Sequence, residues 1–345
     1  MTDLLKPRRL PAVRIGLFLL LAVVGALAAL WPKGAVQAAP APEVVTAAAD
    51  NPKARKVVVG IYVNQVKKLS MVDNEFTVDF WIWFRWKGED YDPLKSFEVI
   101  GGSVDSTTGE QRKNIGDELY ASVRITATIK KFFDVRKFPL DDHEITIEVE
   151  ETQNEDHLVQ FVADATNSMA DPAVEVPGWS IGDSSAQALT HSYKTNYGDT
   201  SLPSGNESRY TRFVFGLKLV RPGLSYLFKL FWSIYLAVVI GFLALLIKPT
   251  DLDPRFGLGV GAIFAAAASS FVVSAALPPT SVFTLSDKVN MIAVGFIFVS
   301  LMESIFSLRF IYKEKQAASV KLDRICFWGL MAAYALANYI AVASA

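Results

Sequence analysis

Two regimes of hydrophobic patterning divide the chain at Arg221-Pro222-Gly223. Before this point apolar and polar residues alternate in short runs, and beyond it the chain is almost continuously apolar. A period of two places successive side chains on opposite faces of a strand. It predicts strands over 57–66, 76–87, 119–130, 143–150, 157–163, 188–195 and 209–221. Turn signals separate them: Gly101-Gly102, Pro139, Pro177-Gly178 and Pro203-Ser204-Gly205. Short strands split by turns predict an all-β, immunoglobulin-like antiparallel sandwich. The apolar part contains runs at 225–247, 256–276, 289–312 and 324–343. A bilayer core of about 30 Å needs about 20 helical residues, so each run is expected to be a transmembrane helix, giving an all-α four-helix membrane domain over 223–345.

Charge orients this arrangement. Lys248 and Arg255 lie between the first and second runs, and Arg309, Lys313, Lys315, Lys321 and Arg324 lie between the third and fourth. The connection from Leu277 to Lys288 has one Lys and one Asp. An excess of Lys and Arg marks the cytoplasmic side, so the polar domain and the C-terminus are expected outside. At the N-terminus Lys6, Arg8, Arg9 and Arg14 precede an apolar run over 15–30, followed by Val36-Gln37-Ala38. This is the pattern of a signal peptide over 1–38, the alternative being an uncleaved anchor. An Ala- and Pro-rich stretch over 39–55 reads as a disordered leader to a polar domain over 56–222. The expected location is a membrane crossed several times, with the N-terminal domain and the C-terminus outside.

The second run is unlike the others. It is dominated by Gly, Ala and Ser and lacks a bulky aliphatic stripe. Small residues suit a helix enclosed by other helices. Either it is a tight central packing helix or it lines a pore made with symmetry mates.

No enzyme constellation emerges. His143, His157 and His191 share no metal-ligand spacing, and there is no phosphate loop, nucleotide fingerprint or Gly-x-Ser-x-Gly. The expectation is a non-enzyme without cofactor or metal. Glu148, Glu150 and Glu151 read as a charged strand end facing water. The lone Cys326 lies in an apolar segment and reads as a packing residue. A net charge of −1 gives no reason to expect nucleic acid.

Several motifs carry a resemblance. Gly60-Ile61-Tyr62 opens the first strand, Trp86-Lys87 is followed by Tyr91-Asp92-Pro93, and Phe133 to Asp141 reads Phe-Asp-Val-Arg-Lys-Phe-Pro-Leu-Asp. Gly178-Trp179-Ser180-Ile181 and Arg221 follow. The most specific stretch runs from Pro254 to Glu303, with Arg255, Leu258-Gly259-Val260, Leu277-Pro278, Asp287 and a helix ending Phe-Val-Ser-Leu-Met-Glu. In these the chain resembles the pentameric ligand-gated ion channels, the Cys-loop receptor superfamily, in a bacterial form whose signature loop lacks the flanking cysteines. The stretch between Pro93 and Phe138 is shorter than the family's, so a strand or a binding-loop segment is expected to be missing. Phe228 stands near the family's first-helix proline.

The resemblance implies a homopentamer in a lipid bilayer, four identical subunits joining each chain, passing inorganic ions and responding to an unidentified small molecule or to protons. It implies a pore face of Gly257, Gly261, Phe264, Ala268, Phe271 and Ala275, with Phe264 at the hydrophobic gate. Asp253 at the mouth leans towards cations, unless Asp251 and Asp253 are solvated loop charges or serve as partners of Lys248 and Arg255. The resemblance places Trp81 on the complementary side of an intersubunit ligand site, although alternate Trp residues on a strand are often core. Tyr193, Tyr197 and Tyr210 flank the hairpin like the family's capping loop, while Trp86 and Trp179 read as structural. Coupling is assigned to Asp141, Phe138, Pro139, Arg221 and Pro278, with Asp141 as the carboxylate that Arg221 requires. The alternative function is a non-conducting membrane sensor or scaffold with the same fold.

Overall fold

The computed structural model describes residues 45–47, 51–198 and 207–344. The expected signal peptide over 1–38 and the Pro203-Ser204-Gly205 turn lie outside the described residues. The described chain forms two units. One is a sandwich running up to Asp134 and over Asp141–Pro222, and the other comprises Val135–Leu140 with the chain from Gly223.

In the sandwich, one sheet has the order β1-β10-β11-β7-β4. Its strands are β1 (Val45–Ala47), β4 (Phe97–Val99), β7 (His143–Glu151), β10 (Ser180–Tyr193) and β11 (Ser208–Val220). The other has the order β5-β6-β3-β2-β8, with β9 also paired to β2. It comprises β2 (Arg55–Ser70), β3 (Glu75–Trp86), β5 (Gly102–Ile115), β6 (Glu118–Lys130), β8 (Val159–Ala163) and β9 (Met169–Ala170). Pairing is antiparallel except where the short β8 and β9 run parallel to β2.

The alternation read from the sequence is the alternation of burial. On β3, Phe76, Val78, Phe80, Ile82, Phe84 and Trp86 are buried, and on β11 Phe213, Phe215, Leu217 and Leu219 are. Fully burying one such side chain contributes roughly 1.5–3 kcal/mol, so these inward faces carry the unit's stability.

Three features depart from the sequence reading. Val45–Ala47, expected in a disordered leader, pairs with β10, Thr46 opposite Thr190. The stretch between Pro93 and Phe138, in which the sequence predicts only the strand over 119–130, holds β4 and β5 besides β6. β5 is exposed along its whole length, so neither face carries an apolar set and periodicity cannot reveal it. The third is the acidic strand end. Glu150 and Glu151 are buried, and Glu151 accepts hydrogen bonds from the Ser96 and Tyr91 hydroxyls and from the Asn154 backbone and side chain.

The helical unit contains α1 (Leu224–Leu243), α2 (Leu252–Ser274), α3 (Leu285–Tyr312) and α4 (Gln316–Ala343). All four are long and apolar enough to cross a membrane. Helix α3 starts at a capping box in which Thr284 and Asp287 satisfy each other's backbone N–H groups. Helices α2 and α4 begin earlier than the apolar runs, taking in Asp253 and Arg255, and Lys321 and Asp323 respectively. Their inward charges have partners on other helices, which a search for uninterrupted apolar sequence passes over.

Candidate functional site

Helix α2 has two faces. Arg255, Gly259, Ala262, Ala266, Ser269 and Val273 are buried against the other helices. Here the small residues serve packing. A Cβ on Gly259 would lie 2.2 Å from Leu301 Cδ2. One on Gly241 of α1 would lie 3.4 Å from the Ala262 Cβ, and Ser269 is hydrogen-bonded to Ser233 of α1 at 3.0 Å. On the other face Gly257, Gly261, Phe264, Ala268, Phe271 and Ala275 are all exposed. Phe264 and Phe271 are 72% and 78% exposed. One face of the helix is thus packed, and the other is bare in the single chain.

Asp253 is exposed at the start of α2. Arg255, two residues on and so about 200° around the helix, is fully buried. It is not the partner of Asp251 or Asp253. Its Nη2 donates to Asp323 Oδ1 of α4 at 2.9 Å and to Glu303 Oε2 of α3 at 3.1 Å. Nη1 donates to Asp323 Oδ2 at 3.3 Å, and Nε to Ser304 Oγ at 2.9 Å. Sequence reading missed Glu303 and Asp323 as partners, because three helices must assemble before the contact exists.

In the sandwich, Tyr193 at the end of β10 forms the centre of an aromatic group. Its ring centroid lies 4.4 Å from His191, 5.7 Å from Tyr197 and 6.0 Å from Tyr210. The Tyr193 hydroxyl donates to Glu150 Oε1 at 2.7 Å and accepts from Arg212 Nη2 at 3.0 Å. Arg212 also donates to Glu150 Oε2 at 2.8 Å and Glu148 Oε2 at 2.9 Å. Burial, reinforced by the Glu150 carboxylate, pushes the Tyr193 hydroxyl well above the usual tyrosine range. Register is the cause of the ion pair, since Arg212 of β11 stands opposite Glu150 of β7. Glu148, Glu150 and Arg212 are absent from the sequence-based site. The signal was the period-two acidic pair on β7, misread as a solvated end.

Trp81 is not in the core. It lies on the outward face of β3, opposite Arg124 of β6, with its indole against Gly109 of β5. Trp83, on the same face, covers Gly60 and donates from Nε1 to Asp164 Oδ2 at 3.2 Å. Trp86 is buried and donates to Tyr91 O. A cavity of about 1070 Å³ elsewhere in the sandwich is lined by Arg55, Asp90, Tyr91, Lys95 and Asn154 among others, and by none of the four predicted ligand residues. Among the described residues no group of His, Cys, Asp and Glu could hold a metal ion.

The residues assigned to coupling fall into two sets. Arg221 Nε donates to Asp141 Oδ1 at 3.1 Å, its guanidinium lies 3.9 Å above the Trp179 ring, and its Nη2 lies 3.0 Å from Met71 Sδ. All belong to the sandwich unit. In the helical unit Phe138 and Pro139 are buried, Phe138 O accepts from Ser286 Oγ at 3.1 Å, and Arg136 O accepts from Leu285 N at 2.9 Å. Pro278 is also buried there.

No family model matches the chain. It aligns with the gamma-aminobutyric acid receptor subunit rho-3 of Homo sapiens at 21% identity over 278 residues, covering 71% of this chain and 56% of the receptor subunit. The chain thus spans little more than half the length of that relative. This weak sequence likeness, joined to a β-sandwich followed by four apolar helices, fits a pentameric ligand-gated ion channel of the Cys-loop superfamily.

Proposed function

We propose that the chain forms a homopentameric, ligand-gated, cation-leaning ion channel of a bacterial inner membrane, with the sandwich outside. One observation carries this reading: the bare stripe from Gly257 to Ala275 on α2, in a helix whose opposite face is packed. Five such stripes facing one another enclose a path whose narrow points are rings of Phe264 and Phe271. An apolar ring closes a pore by dewetting, without a steric plug. The ligand is a cationic amine bound between subunits at Tyr193, Tyr197 and Tyr210, facing Trp81 of the next subunit. Support for a cation is chemical. Aromatic faces attract cations, and the cluster's guanidinium, Arg212, is already committed to two carboxylates and a hydroxyl. Binding is relayed to the pore helices through the covalent continuity of Phe138 and Pro139 with Asp141. The test is single-channel recording of purified protein in bilayers, wild type against Phe264→Ala. Wild-type openings evoked by an amine, with spontaneous opening in Phe264→Ala, are expected. Silence of both, across pH and a panel of amines, sinks the channel reading and leaves a non-conducting sensor, the reading favoured by the apolar character of all six stripe residues.

A further inference from the structure

Helix α2 carries two ionisable residues, one of each sign, within a single turn: Asp253 and Arg255. The fold treats them oppositely. Asp253 is exposed on the side of the stripe, whereas the Arg255 side chain is 0% exposed and held by Glu303 and Asp323, themselves 1% and 7% exposed. The sequence of α2 alone sets no sign for its bare face. An arginine at a helix end has a stem long enough to bring a released guanidinium to the water at that end, where Asp253 is exposed. What prevents this is a fork of donors filled from two other helices, with Asp323 bidentate on Nη1 and Nη2, Glu303 on Nη2 and Ser304 on Nε.

We propose that Glu303 and Asp323 are positioning residues for ion selection: by retaining Arg255 inside the bundle they leave Asp253 as the only charge that α2 presents along its bare face. Their carboxylates never meet the ion, yet they decide whether the mouth carries acid alone or acid cancelled by base. The part concerning ions rests on the channel reading above. The retention of Arg255 does not.

The experiment therefore has two readouts on the full-length protein in lipid. The first is the modification of Arg255 by phenylglyoxal, read by mass spectrometry. Arg255 is expected to be protected in the wild type and reactive in Glu303→Gln/Asp323→Asn. Equal protection in both, or reactivity in the wild type, overturns the proposal whether or not the protein conducts. The second is the reversal potential under a KCl gradient. The cation-to-anion permeability ratio is expected to fall about tenfold in Glu303→Gln/Asp323→Asn, as in Asp253→Asn. Adding Arg255→Gln to the double variant is expected to restore the ratio to the wild-type value, a rescue that a merely structural role of the two carboxylates does not produce. Replacing a buried ion cluster as a whole is commonly tolerated, so the triple variant can still overturn the proposal where the double variant fails to assemble. A triple variant with an altered ratio overturns the proposal. A wild type without current, but with Arg255 protected and then released by the double substitution, defeats the channel reading and leaves the retention standing.

Discussion

Asp141 divides its carboxylate between Arg221 and His143. Oδ1 accepts from Arg221 Nε at 3.1 Å, and Oδ2 lies 2.6 Å from His143 Nε2. The Asp141, His143 and Arg221 side chains are 2%, 7% and 6% exposed, so no water stands ready to replace either partner. Breaking a buried pair by removing one charge costs roughly 3–5 kcal/mol, because the surviving charge stays buried. Asp141→Asn and Arg221→Gln are each expected to abolish assembly or gating. Size-exclusion profiles of the solubilised protein and agonist-evoked currents check this. Normal pentamers with unchanged currents in both variants rule it out.

The Tyr193 hydroxyl stands between Glu150 and Arg212, and its loss disturbs both. Tyr193→Phe keeps the ring against His191, Tyr197 and Tyr210 while leaving one lobe of the carboxylate without its donor. An unsatisfied buried acceptor costs about 1–3 kcal/mol. That cost falls on the free and the liganded protein alike, so amine affinity in Tyr193→Phe is expected to stay within about tenfold of the wild type. Tyr193→Ala, which removes the aromatic face as well, is expected to lose more than Tyr193→Phe. Calorimetric titration with a panel of amines measures both. Equal affinities in the wild type and Tyr193→Ala place the ligand elsewhere.

The sequence made the fold legible wherever one face of an element is buried. β3 and β11 alternate because each turns one face to the core, and the four helices show as apolar runs because lipid or protein surrounds them. β5 stayed hidden because no face of it is buried, and β1 because three residues are too few to show a period. The site was legible in part. The stripe on α2 and Asp141 as the carboxylate for Arg221 are both implied by the resemblance, the first in keeping with helical spacing and the second with the cost of an unpaired charge. Arg255 with Glu303 and Asp323, and Arg212 with Glu148 and Glu150, were not legible. Each brings together side chains from different elements, and the sign of such a pairing exists only once helix packing or strand register has set it. The same limit turned Glu150 and Glu151 into a solvated end on paper and a buried network in the fold.

Asp79 gives a pH dependence with a definite sign. It lies on the outward face of β3 yet its side chain is 6% exposed, covered by Arg124 at 2.8 Å, Asn64 at 3.0 Å and Lys67 at 3.2 Å. Burial pushes its carboxyl up, but the hydrogen bonds from Arg124, Asn64 and Lys67 together outweigh burial and bring it down to about 2 from the ordinary 3.8. A carboxyl depressed by folding contributes stability that is fully present above its unfolded value and is lost as pH falls towards the folded one. Asp79→Asn is therefore expected to be less stable than the wild type at neutral pH, with the gap closing between about pH 4 and pH 2. Thermal unfolding of the solubilised protein over that range checks it. A gap that stays constant down to pH 2 contradicts this account of Asp79.

Gly109 tests whether the outward face of β3 belongs to a ligand site. Its φ of +67° lies in the left-handed region, and a Cβ there would approach Trp81 Cη2 to 2.9 Å. Gly109 sits where the β5–β6 register shifts between Thr108 and Gln111, so the irregularity lays backbone without a side chain over the indole. Gly109→Ala meets two obstacles: about 1–2 kcal/mol for a non-glycine residue in this conformation, and displacement of the Trp81 ring. Because β5 is exposed along its length, the melting temperature is expected to change little. Trp81 is expected to shift, read as a change in acrylamide quenching that is absent when Gly109→Ala is made in a Trp81→Phe background. If Trp81 faces the amine of a neighbouring subunit, the concentration for half-maximal response should rise in Gly109→Ala about as much as in Trp81→Ala. An unchanged dose–response curve alongside a displaced indole removes Trp81 from the ligand site and leaves it as a surface aromatic seated on a glycine.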